Sequence, residues 1–424
     1  MRIAYFVPEY TPRIVGGLGT YAQYMCPALA DLGHEVTVFT LNDGTLRTQE
    51  NIAGVEIYRP MTINLPKGVI DSLLPNDMHR WGIPGIVLYN IFSASKFINL
   101  IKKDRKQFDI IVAHDWLAGI AGMIAGSNTE LPLVFHLHST ERGRAMGNGS
   151  QTIASIEWKT GEAAQRIITV SFAMQEDLIN QGFDPRKIRV CWNGVDTQKY
   201  DPNRVCDEER LAIRRRYQIE DDEKMLLFIG RLISVKGAIE LVEAMTMVKD
   251  PKVKLVILGR GDLEGLVTDL ISRLELKDKI KTCFDFVSEE ERIRHLAACD
   301  IAVFPSKYEP FGIVALEAMA MEKPVIVGAS GISGFREIVV SSGDYRTGAH
   351  VNGQNPADIF GWGLKPLLSL SPEELIEMGK RGRERVEKHF TWARIAKQTA
   401  EIYAQAIEIH DEYLLERAFG LVFY

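Results

Sequence analysis

The chain has 424 residues, 46% of them hydrophobic and 25% charged, and its 50 basic against 56 acidic side chains give a formal net charge of −6. This length predicts two domains, and the composition excludes large-scale disorder. The acidic balance excludes a dedicated nucleic-acid-binding protein, which would carry a basic stripe. The densest basic run, residues 214–216, is interpreted as a solvated helix face. The five cysteines form no CxxC pair and are interpreted as buried, reduced thiols.

The N-terminal sequence MRIAYFVPEY is interpreted as a strand followed by a polar loop rather than as a signal peptide. No apolar run reaches the ~18–20 residues of a membrane span. We therefore expect a cytoplasmic protein that binds no nucleic acid and does not associate with membranes. Region 60–85 carries four prolines and is predicted to be an insertion or lid. Region 63–92 and the long C-terminal helix are candidate surfaces for a homo-oligomer.

Short apolar runs alternate with helical patterns through the first half of the chain. Strands are predicted at 2–7 and 35–40, on either side of a helix that ends at Gly33, and further strands follow at DIIVAHD, LPLVFHLHS, RIITVS and KIRVCWNG. Such alternation indicates a parallel, doubly wound sheet. A polar stretch at 194–225 interrupts it, and the alternation then restarts at MLLFIGR. We predict two Rossmann-like α/β domains, 1–195 and 196–395, followed by a helical segment, 396–424.

In open parallel sheets, ligands collect beyond the carboxyl ends of the strands. After the first strand, Gly16, Gly17 and Gly19 precede a helix, where backbone amides can approach a phosphate. The sequence GLGTYA also fits the dinucleotide fingerprint, with Asp43 as the ribose acid. That motif turns directly from its strand, whereas eight residues separate Val7 from Gly16, so a nicotinamide enzyme is disfavoured. A purely structural glycine loop remains an alternative.

Two later strands end in polar side chains: His114 and Asp115 after one, and His138 and Glu141 after the next. His136 and His138 alternate along their strand and therefore point to the same face. No carboxylate or cysteine stands at a familiar ligand spacing from them, so we predict no metal site. A lone histidine is usually a satisfied core group, but its place at a strand end favours a functional role for His138.

The second half of the chain offers cations and carboxylates at its strand ends. Arg231 follows a strand and Lys236 opens the next helix, a pairing suited to a diphosphate, although a surface Arg–Lys pair is the simpler alternative. Glu309 lies in a turn and Glu317 in the second turn of the following helix. Carboxylates suit sugar and ribose hydroxyls because each accepts two hydrogen bonds.

The motif EPFGIVALE at 309–317, followed by KPVIVGASG, resembles that of retaining glycosyltransferases of the GT-B type in family 4. The GGLG loop, the Arg231 and Lys236 pair and the terminal helix follow in that family's order, over nearly the full chain. The resemblance implies an N-terminal acceptor domain and a C-terminal nucleotide-sugar domain that face a central cleft. It also implies that the terminal helix packs back across the hinge.

The resemblance further implies catalysis without a metal or other cofactor, because cationic side chains replace a divalent ion. Arg231 and Lys236 would neutralise the departing diphosphate, and His138 would support the sugar near its primary hydroxyl. The full set of predicted residues is Glu309, His138, Arg231 and Lys236 for catalysis, Gly16, Gly17, Gly312 and Glu317 for donor binding together with the two cations, and Asp115 and Glu141 for substrate contacts.

The combination of GGLG, HDW and EPFG resembles glycogen and starch synthases, so we predict transfer of glucose from ADP- or UDP-glucose to an α-glucan. Arg13 stands where those enzymes usually carry lysine before the glycine pair. A family-4 transferase with a sugar-phosphate or lipid-linked acceptor is the alternative, and Lys67, Arg80 and Trp81 would be its basic and aromatic membrane contacts. A sugar-nucleotide 2-epimerase of the same fold and a non-catalytic binding protein are two further alternatives.

Overall fold

The computed structural model of the chain describes residues 1–42, 44–60 and 83–418. The candidate ribose acid Asp43, most of the predicted insertion and the side chains Lys67, Arg80 and Trp81 lie outside the described residues. Among the helices that are described, none is both long and apolar enough to cross a membrane. The chain forms two compact units: Met1–Trp192 together with Trp392–Tyr424 is unit 1, and Asn193–Thr391 is unit 2.

Unit 1 is built on an eight-stranded sheet in the order β3-β4-β2-β1-β5-β6-β7-β8, in which only the β3–β4 pair is antiparallel among the described strands. Its strands are β1 Arg2–Phe6, β2 Glu35–Phe39, β3 Gln49–Ile52, β4 Val55–Tyr58, β5 Ile110–His114, β6 Leu133–Leu137, β7 Arg166–Thr169 and β8 Ile188–Val190. Its first helices are α1 Gly17–Asp31, α2 Ile83–Lys102, α3 Asp115–Thr129, α4 Glu141–Arg144, α5 Gln151–Ala163 and α6 Phe172–Asn180.

Unit 2 is built on a six-stranded parallel sheet in the order β11-β10-β9-β12-β13-β14. Its strands are β9 Lys224–Ile229, β10 Val253–Leu258, β11 Ile280–Cys283, β12 Ile301–Phe304, β13 Val325–Gly328 and β14 Gly348–Val351. Its helices are α7 Asp207–Arg216, α8 Ala238–Ala244, α9 Glu264–Arg273, α10 Glu289–Ala298, α11 Ile313–Ala320, α12 Phe335–Ile338, α13 Pro356–Asp358, α14 Lys365–Leu368 and α15 Pro372–His389.

The strands read as near-continuous apolar runs because helices cover both faces of each sheet. IIVAH and LVFHL in unit 1 are buried along their whole length, as are five of the six residues of KMLLFI in unit 2. Several helices begin with a side-chain cap, and α15 has a complete capping box: the Ser371 side chain accepts from the backbone N–H of Glu374, with Pro372 at the first position. The predicted pair of doubly wound α/β folds is confirmed.

The last described helix, α16 Trp392–Ala418, completes the core of unit 1. Trp392 stacks on Tyr24 of α1 with ring centroids 5.6 Å apart, and Ile395 and Tyr403 are fully buried in the same hydrophobic cluster as β1 and β2. The C-terminal segment is therefore an integral part of the unit that begins the chain.

Two interpretations of the sequence are corrected by burial. Arg214 does not lie on a solvated helix face, because its guanidinium is buried and donates to the carbonyl oxygens of Ala298 and Glu220 at 3.1 and 2.9 Å. Arg215 and Arg216 are exposed, as expected. Of the five thiols, Cys206 is exposed and Cys283 is partly exposed, so burial holds only for the other three.

Strand order identifies where each sheet can bind a ligand. Unit 1 reverses its winding between β1 and β5, and unit 2 reverses between β9 and β12. Parallel sheets bind ligands beyond the carboxyl ends of the strands at such a reversal. The predicted site residues follow these four strands and their neighbour β6.

Candidate active site

The glycine loop between β1 and α1 carries a carboxylate of its own. Oε2 of Glu9 accepts the backbone N–H groups of Val15 and Gly16, both at 3.0 Å. Gly19 leaves room for this arrangement, since a Cβ there would lie 2.8 Å from the same oxygen. The N-terminus of a helix favours negative charge, and here Glu9 supplies it. A phosphate that approaches the amide of Gly16 would therefore compete with Glu9.

Open space surrounds the first two glycines of this loop. A Cβ built on Gly16 or on Gly17 meets no atom within 4 Å. Arg13, just upstream, is exposed, and its backbone N–H donates to the carbonyl oxygen of Tyr10 at 2.9 Å. Space for a ligand is thus present beside Gly17, where the sequence predicts an approaching diphosphate.

The imidazole cluster, which we define as His114, His136 and His138, lies at the carboxyl ends of β5 and β6. His114 and His136 are register partners across the two strands. Nδ1 of His114 lies 3.0 Å from Nε2 of His138. Nε2 of His136 lies 2.9 Å from the hydroxyl of Tyr403 on α16. The ring of Tyr21 on α1 packs edge-on against His138 at 4.6 Å and covers the cluster.

Ring orientation decides what the imidazole cluster can hold. One nitrogen from each of the three rings lies within 4.8 Å of the others, and burial lowers the pKa of all three, that of His138 to about 3. The rings are therefore neutral, as metal ligands must be. However, His114 and His138 meet edge to edge, because their facing nitrogens lie 3.0 Å apart and their planes differ by only 23°. Two ring nitrogens that share a proton in a hydrogen bond cannot both bind a metal ion at the same time. The arrangement favours a hydrogen-bonded cluster.

Asp115, which begins α3, holds the backbone beside the imidazole cluster. Its Oδ1 accepts the backbone N–H of His138 at 2.7 Å, and its carboxylate also accepts from the backbone of Ser139. Asp115 has a φ of +52°, a left-handed conformation that costs a non-glycine residue about 1–2 kcal/mol. Burial raises the pKa of this carboxyl to about 6, although Arg144 acts in the opposite direction. In this strained conformation the Asp115 carboxylate accepts the backbone N–H of His138 and so fixes the position of that residue.

Glu141 also has partners within its own loop. Its carboxylate accepts the backbone N–H of Ser150 at 3.0 Å and pairs with Arg144 at 3.2 Å. Buried Glu157 on α5 in turn accepts the backbone N–H of Glu141 at 2.9 Å. Burial raises the pKa of Glu157 to about 8, with Arg144 again opposing. The substrate contacts predicted for Asp115 and Glu141 remain predictions, since the observed partners of both carboxylates are internal.

In unit 2 the structure brings together two of the predicted catalytic side chains. Lys236 ends a 3-10 turn, Ser234–Lys236, and its Nζ lies 2.5 Å from Oε2 of Glu309. The hydroxyl of Ser306 donates to the same oxygen at 3.2 Å. The backbone of Glu309 is also held, because its carbonyl oxygen accepts the N–H of Gly334 at 2.9 Å. The resulting ion pair lies at the carboxyl ends of the neighbouring strands β9 and β12.

Arg231 lies at the end of β9, and its side chain is exposed. The backbone around it is tightly packed against the neighbouring loop after β10. The N–H of Leu232 donates to the carbonyl oxygen of Arg260 at 2.7 Å, and a Cβ on Gly259 would lie 1.9 Å from the carbonyl oxygen of Gly230. An exposed cation therefore projects from a rigid backbone, which suits recognition of an anion.

Gly312 immediately precedes α11, and Glu317 lies in the second turn of that helix. Gly312 has a φ of +106°, and a Cβ there would lie 2.0 Å from the ring of Phe335. The buried carboxylate of Glu317 lies 3.8 Å from Arg292 and near the hydroxyl of Tyr200, which donates to Glu289 at 3.1 Å. Burial raises the pKa of Glu317, while Arg292 and Tyr200 lower it. The predicted ribose-binding glutamate thus lies in a polar network within unit 2.

Sequence reasoning missed Glu9, Tyr200, Arg292 and Glu157. Arg292 lies in the charged run SEEERIRH and Tyr200 in the polar stretch after β8, and neither directly follows a strand where a site residue is expected. Glu9 had a usable signal, because a carboxylate that shortly precedes a glycine-rich helix start can occupy the amides of that loop. The sequence around Glu157 carries no such signal, because a single glutamate in an amphipathic helix usually lies on the solvated face.

Comparison with protein families supports this picture. Residues 15–199 match the family model described as Glycosyltransferase Family 4, and residues 209–385 match the model described as Glycosyl transferases group 1. The first range covers most of unit 1, and the second covers the greater part of unit 2. The two matches together extend over all of the predicted site residues, but not over Glu9 or Tyr200.

Three curated relatives align with almost the whole chain. An uncharacterised glycosyltransferase of Methanocaldococcus jannaschii is 33% identical over 96% of this chain and 99% of its own. An α-maltose-1-phosphate synthase of Mycolicibacterium smegmatis is 27% identical over 95% of this chain and 99% of its own. A glycogen synthase of Mycobacterium tuberculosis is 27% identical over 96% of this chain and 95% of its own.

Two solved structures share the fold. Sucrose-phosphate synthase from Thermosynechococcus elongatus superposes with a TM-score of 0.76 at 22% identity, covering 96% of this chain and 99% of its own. Anabaena HepE in complex with UDP and glucose superposes with a TM-score of 0.70 at 21% identity, covering 94% and 98%. The two sheets, the strand-end site residues and the relatives agree: the chain belongs to the family-4 glycosyltransferases of GT-B fold and is a sugar-transferring enzyme.

Proposed function

We propose that this enzyme transfers glucose from a nucleotide-sugar to an α-glucan with retention of configuration at the anomeric carbon. The observation that carries the proposal is the Lys236–Glu309 pair at the ends of β9 and β12. Exposed Arg231 lies at the end of the same strand β9. Two cations and one carboxylate at neighbouring strand ends match the charges of a diphosphate leaving group and a sugar cation.

In the proposed reaction the bond between the sugar C1 and the diphosphate oxygen breaks. The acceptor hydroxyl forms the new bond to C1, and its proton leaves with the diphosphate. Arg231 and Lys236 neutralise the developing negative charge, so no divalent ion is needed. Glu309 faces the oxocarbenium-like carbon, and Glu317 binds the ribose hydroxyls of the donor.

Unit 1 contributes neutral groups to the same reaction. We assign His138 to the primary hydroxyl of the donor sugar, and the loop amides near Gly17 to the diphosphate. Neutral donors suit hydroxyl groups because they orient the sugar without pairing to a charge. The open space at Gly16 and Gly17 supports the second assignment.

The names of the relatives suggest two kinds of acceptor. A glucan is favoured by the relative named glycogen synthase, and a sugar phosphate by the relative named α-maltose-1-phosphate synthase, at the same identity of 27%. Glucose and UDP are favoured as donor components by the Anabaena complex. A sugar-phosphate acceptor is therefore the second candidate.

The test is release of nucleoside diphosphate from a panel of UDP-, ADP- and GDP-sugars, each with no acceptor, with glycogen, with maltooligosaccharides and with glucose 1-phosphate. Turnover of UDP- or ADP-glucose that rises with added glucan and persists in a chelator supports the proposal. Turnover that rises only with glucose 1-phosphate would show that the acceptor is a sugar phosphate and not a glucan. Stereochemistry of the product, read by NMR of the anomeric proton, tests retention separately.

A further inference from the structure

We infer that His114 is a positioning residue that fixes the proton of His138 on Nδ1, so that His138 presents an N–H donor rather than a lone pair. The inference rests on the proposed function only for what this donor does in the reaction. The tautomer itself follows from contacts within unit 1.

The facing nitrogens of the two rings share one proton. Nδ1 of His114 and Nε2 of His138 are 3.0 Å apart, the distance of a hydrogen bond. Burial lowers the pKa of both imidazoles, so neither ring carries a second proton at neutral pH. Either His138 donates from Nε2, or His114 donates from Nδ1.

The far nitrogen of His114 decides between these two arrangements. His114 is fully buried, and its Nε2 has no hydrogen-bond partner among the described residues. If His138 donated, His114 would carry its own proton on Nε2 and bury an unpaired N–H. If His114 donates, the buried Nε2 is only an unused lone pair. Orphaned buried donors are rarer than under-satisfied acceptors, so the second arrangement is favoured.

Surrounding groups prevent the rings from exchanging roles by rotation. The ring of Tyr5 lies 4.3 Å from His114, and that of Tyr21 lies 4.6 Å from His138. The backbone N–H of His138 is held by Asp115 at 2.7 Å. With its Nε2 occupied as an acceptor, His138 carries its proton on Nδ1.

This assignment limits the chemistry of His138. A neutral ring whose available nitrogen bears a proton donates a hydrogen bond and does not accept a proton as a general base. In the proposed reaction His138 therefore donates to a hydroxyl oxygen of the donor sugar. His114 acts through His138 and touches no substrate.

The experiment is long-range 1H–15N NMR of the full chain labelled with 15N-histidine, which distinguishes Nδ1–H from Nε2–H rings. His138 is assigned by its loss in His138→Gln. We expect Nδ1–H for His138 in the wild type. Asparagine places an amide N–H close to imidazole Nδ1, so His114→Asn should keep that tautomer. His114→Leu removes the donor, so part of the His138 population should move to Nε2–H.

The kcat and the KM for the donor are measured for the same variants, with His410→Asn as the matched control. His410 is a histidine of unit 1 whose Nε2 bonds to the carbonyl oxygen of Glu130 at 2.8 Å. We expect kcat to fall about tenfold in His114→Leu, with KM for the donor little changed, and to recover in His114→Asn.

An Nε2–H signal for His138 in the wild type overturns the inference, even if His114→Leu fails to fold. An unchanged tautomer in folded His114→Leu also overturns it. An Nδ1–H signal for His138 in a protein that turns over no nucleotide-sugar would support the tautomer and contradict the proposed function.

Discussion

The carboxylates of the two units have different partners. In unit 1, Glu9, Asp115 and Glu157 each accept backbone N–H groups, and each of them holds a loop at the edge of the sheet. In unit 2, Glu309 and Glu317 face the cationic side chains Lys236 and Arg292. The first set fixes the course of the backbone in unit 1, whereas the second set forms ion pairs between side chains of unit 2.

This difference matches the chemistry of the two halves of a nucleotide-sugar. A diphosphate needs cations, and the amide of Gly16, which already donates to Glu9, offers it little. Hydroxyl groups need oriented neutral donors and acceptors, and buried imidazoles remain neutral because burial lowers their pKa. The comparison predicts that charge removal in unit 2 changes binding and turnover, while changes in unit 1 act through geometry.

The largest effect is expected for Glu309→Ala. Transfer should fall by roughly 10²–10³ or more, because a group that stabilises transition-state charge is lost. Binding of nucleoside diphosphate should survive, since Lys236 loses only its internal partner. Initial rates and calorimetric titration with UDP and ADP measure the two effects separately. Glu290→Ala, at an exposed glutamate of α10, is the control. Wild-type turnover in Glu309→Ala would contradict the role of Glu309 in stabilising the charge of the transition state.

Arg231→Ala should weaken diphosphate binding and transfer together. A charge-assisted hydrogen bond contributes about 1.5–3 kcal/mol, so a loss of roughly 10–100-fold in affinity is expected. Exposed Arg273 at the end of α9 provides an Arg→Ala control that should bind normally. If Arg231→Ala kept full transfer activity, the assignment of the diphosphate to this strand end would be wrong.

Alanine substitutions at Gly312 and Gly17 compare a tightly packed glycine with one that faces open space. Gly312→Ala should lower the free energy of unfolding by about 2–3 kcal/mol or more, because its φ is +106° and the new Cβ would lie 2.0 Å from the Phe335 ring. Gly17→Ala should unfold like the wild type, since its Cβ would meet no atom within 4 Å. Thermal unfolding measures both. Equal stability of the two variants would contradict the predicted clash between the new Cβ at position 312 and the ring of Phe335.

The smallest effect concerns Glu157. Its pKa of about 8 in the folded chain lies above its ordinary 4.5, so between these values the folded chain keeps a proton that the unfolded chain has released. This carboxyl therefore lowers stability as the pH rises from about 5 to 8. Glu157→Gln should melt about 2–5 °C above the wild type at pH 8 and equal it below pH 5. Exposed Glu162→Gln is the control, and a difference that does not change with pH would contradict the shift.

Much of the fold was predictable because parallel strands buried on both faces are continuously apolar, and β5, β6 and β9 show this plainly. Arg214 was not predictable. Three consecutive arginines point in different directions around a helix, and only the surrounding chain determines which one meets buried carbonyl oxygens. Helical position alone does not tell a buried guanidinium from a solvated one.

The site was predictable only as a set of strand ends. The motif EPFG and the cations Arg231 and Lys236 could be located, but the Lys236–Glu309 pair joins residues 73 positions apart. That pairing depends on β12 lying next to β9, and strand order is not encoded in any local pattern. The contacts of Arg292 and Tyr200 with Glu317 depend on the same kind of long-range placement.

The packing of α16 in unit 1 sets an order of events during synthesis. Unit 2 is continuous in sequence and is complete when residue 391 leaves the ribosome. The core of unit 1 still lacks Trp392, Ile395 and Tyr403 at that moment, although its sheet emerged first. Unit 1 therefore begins to emerge before unit 2 but completes its core after it, and a chain released before α16 would expose the apolar surface of α1.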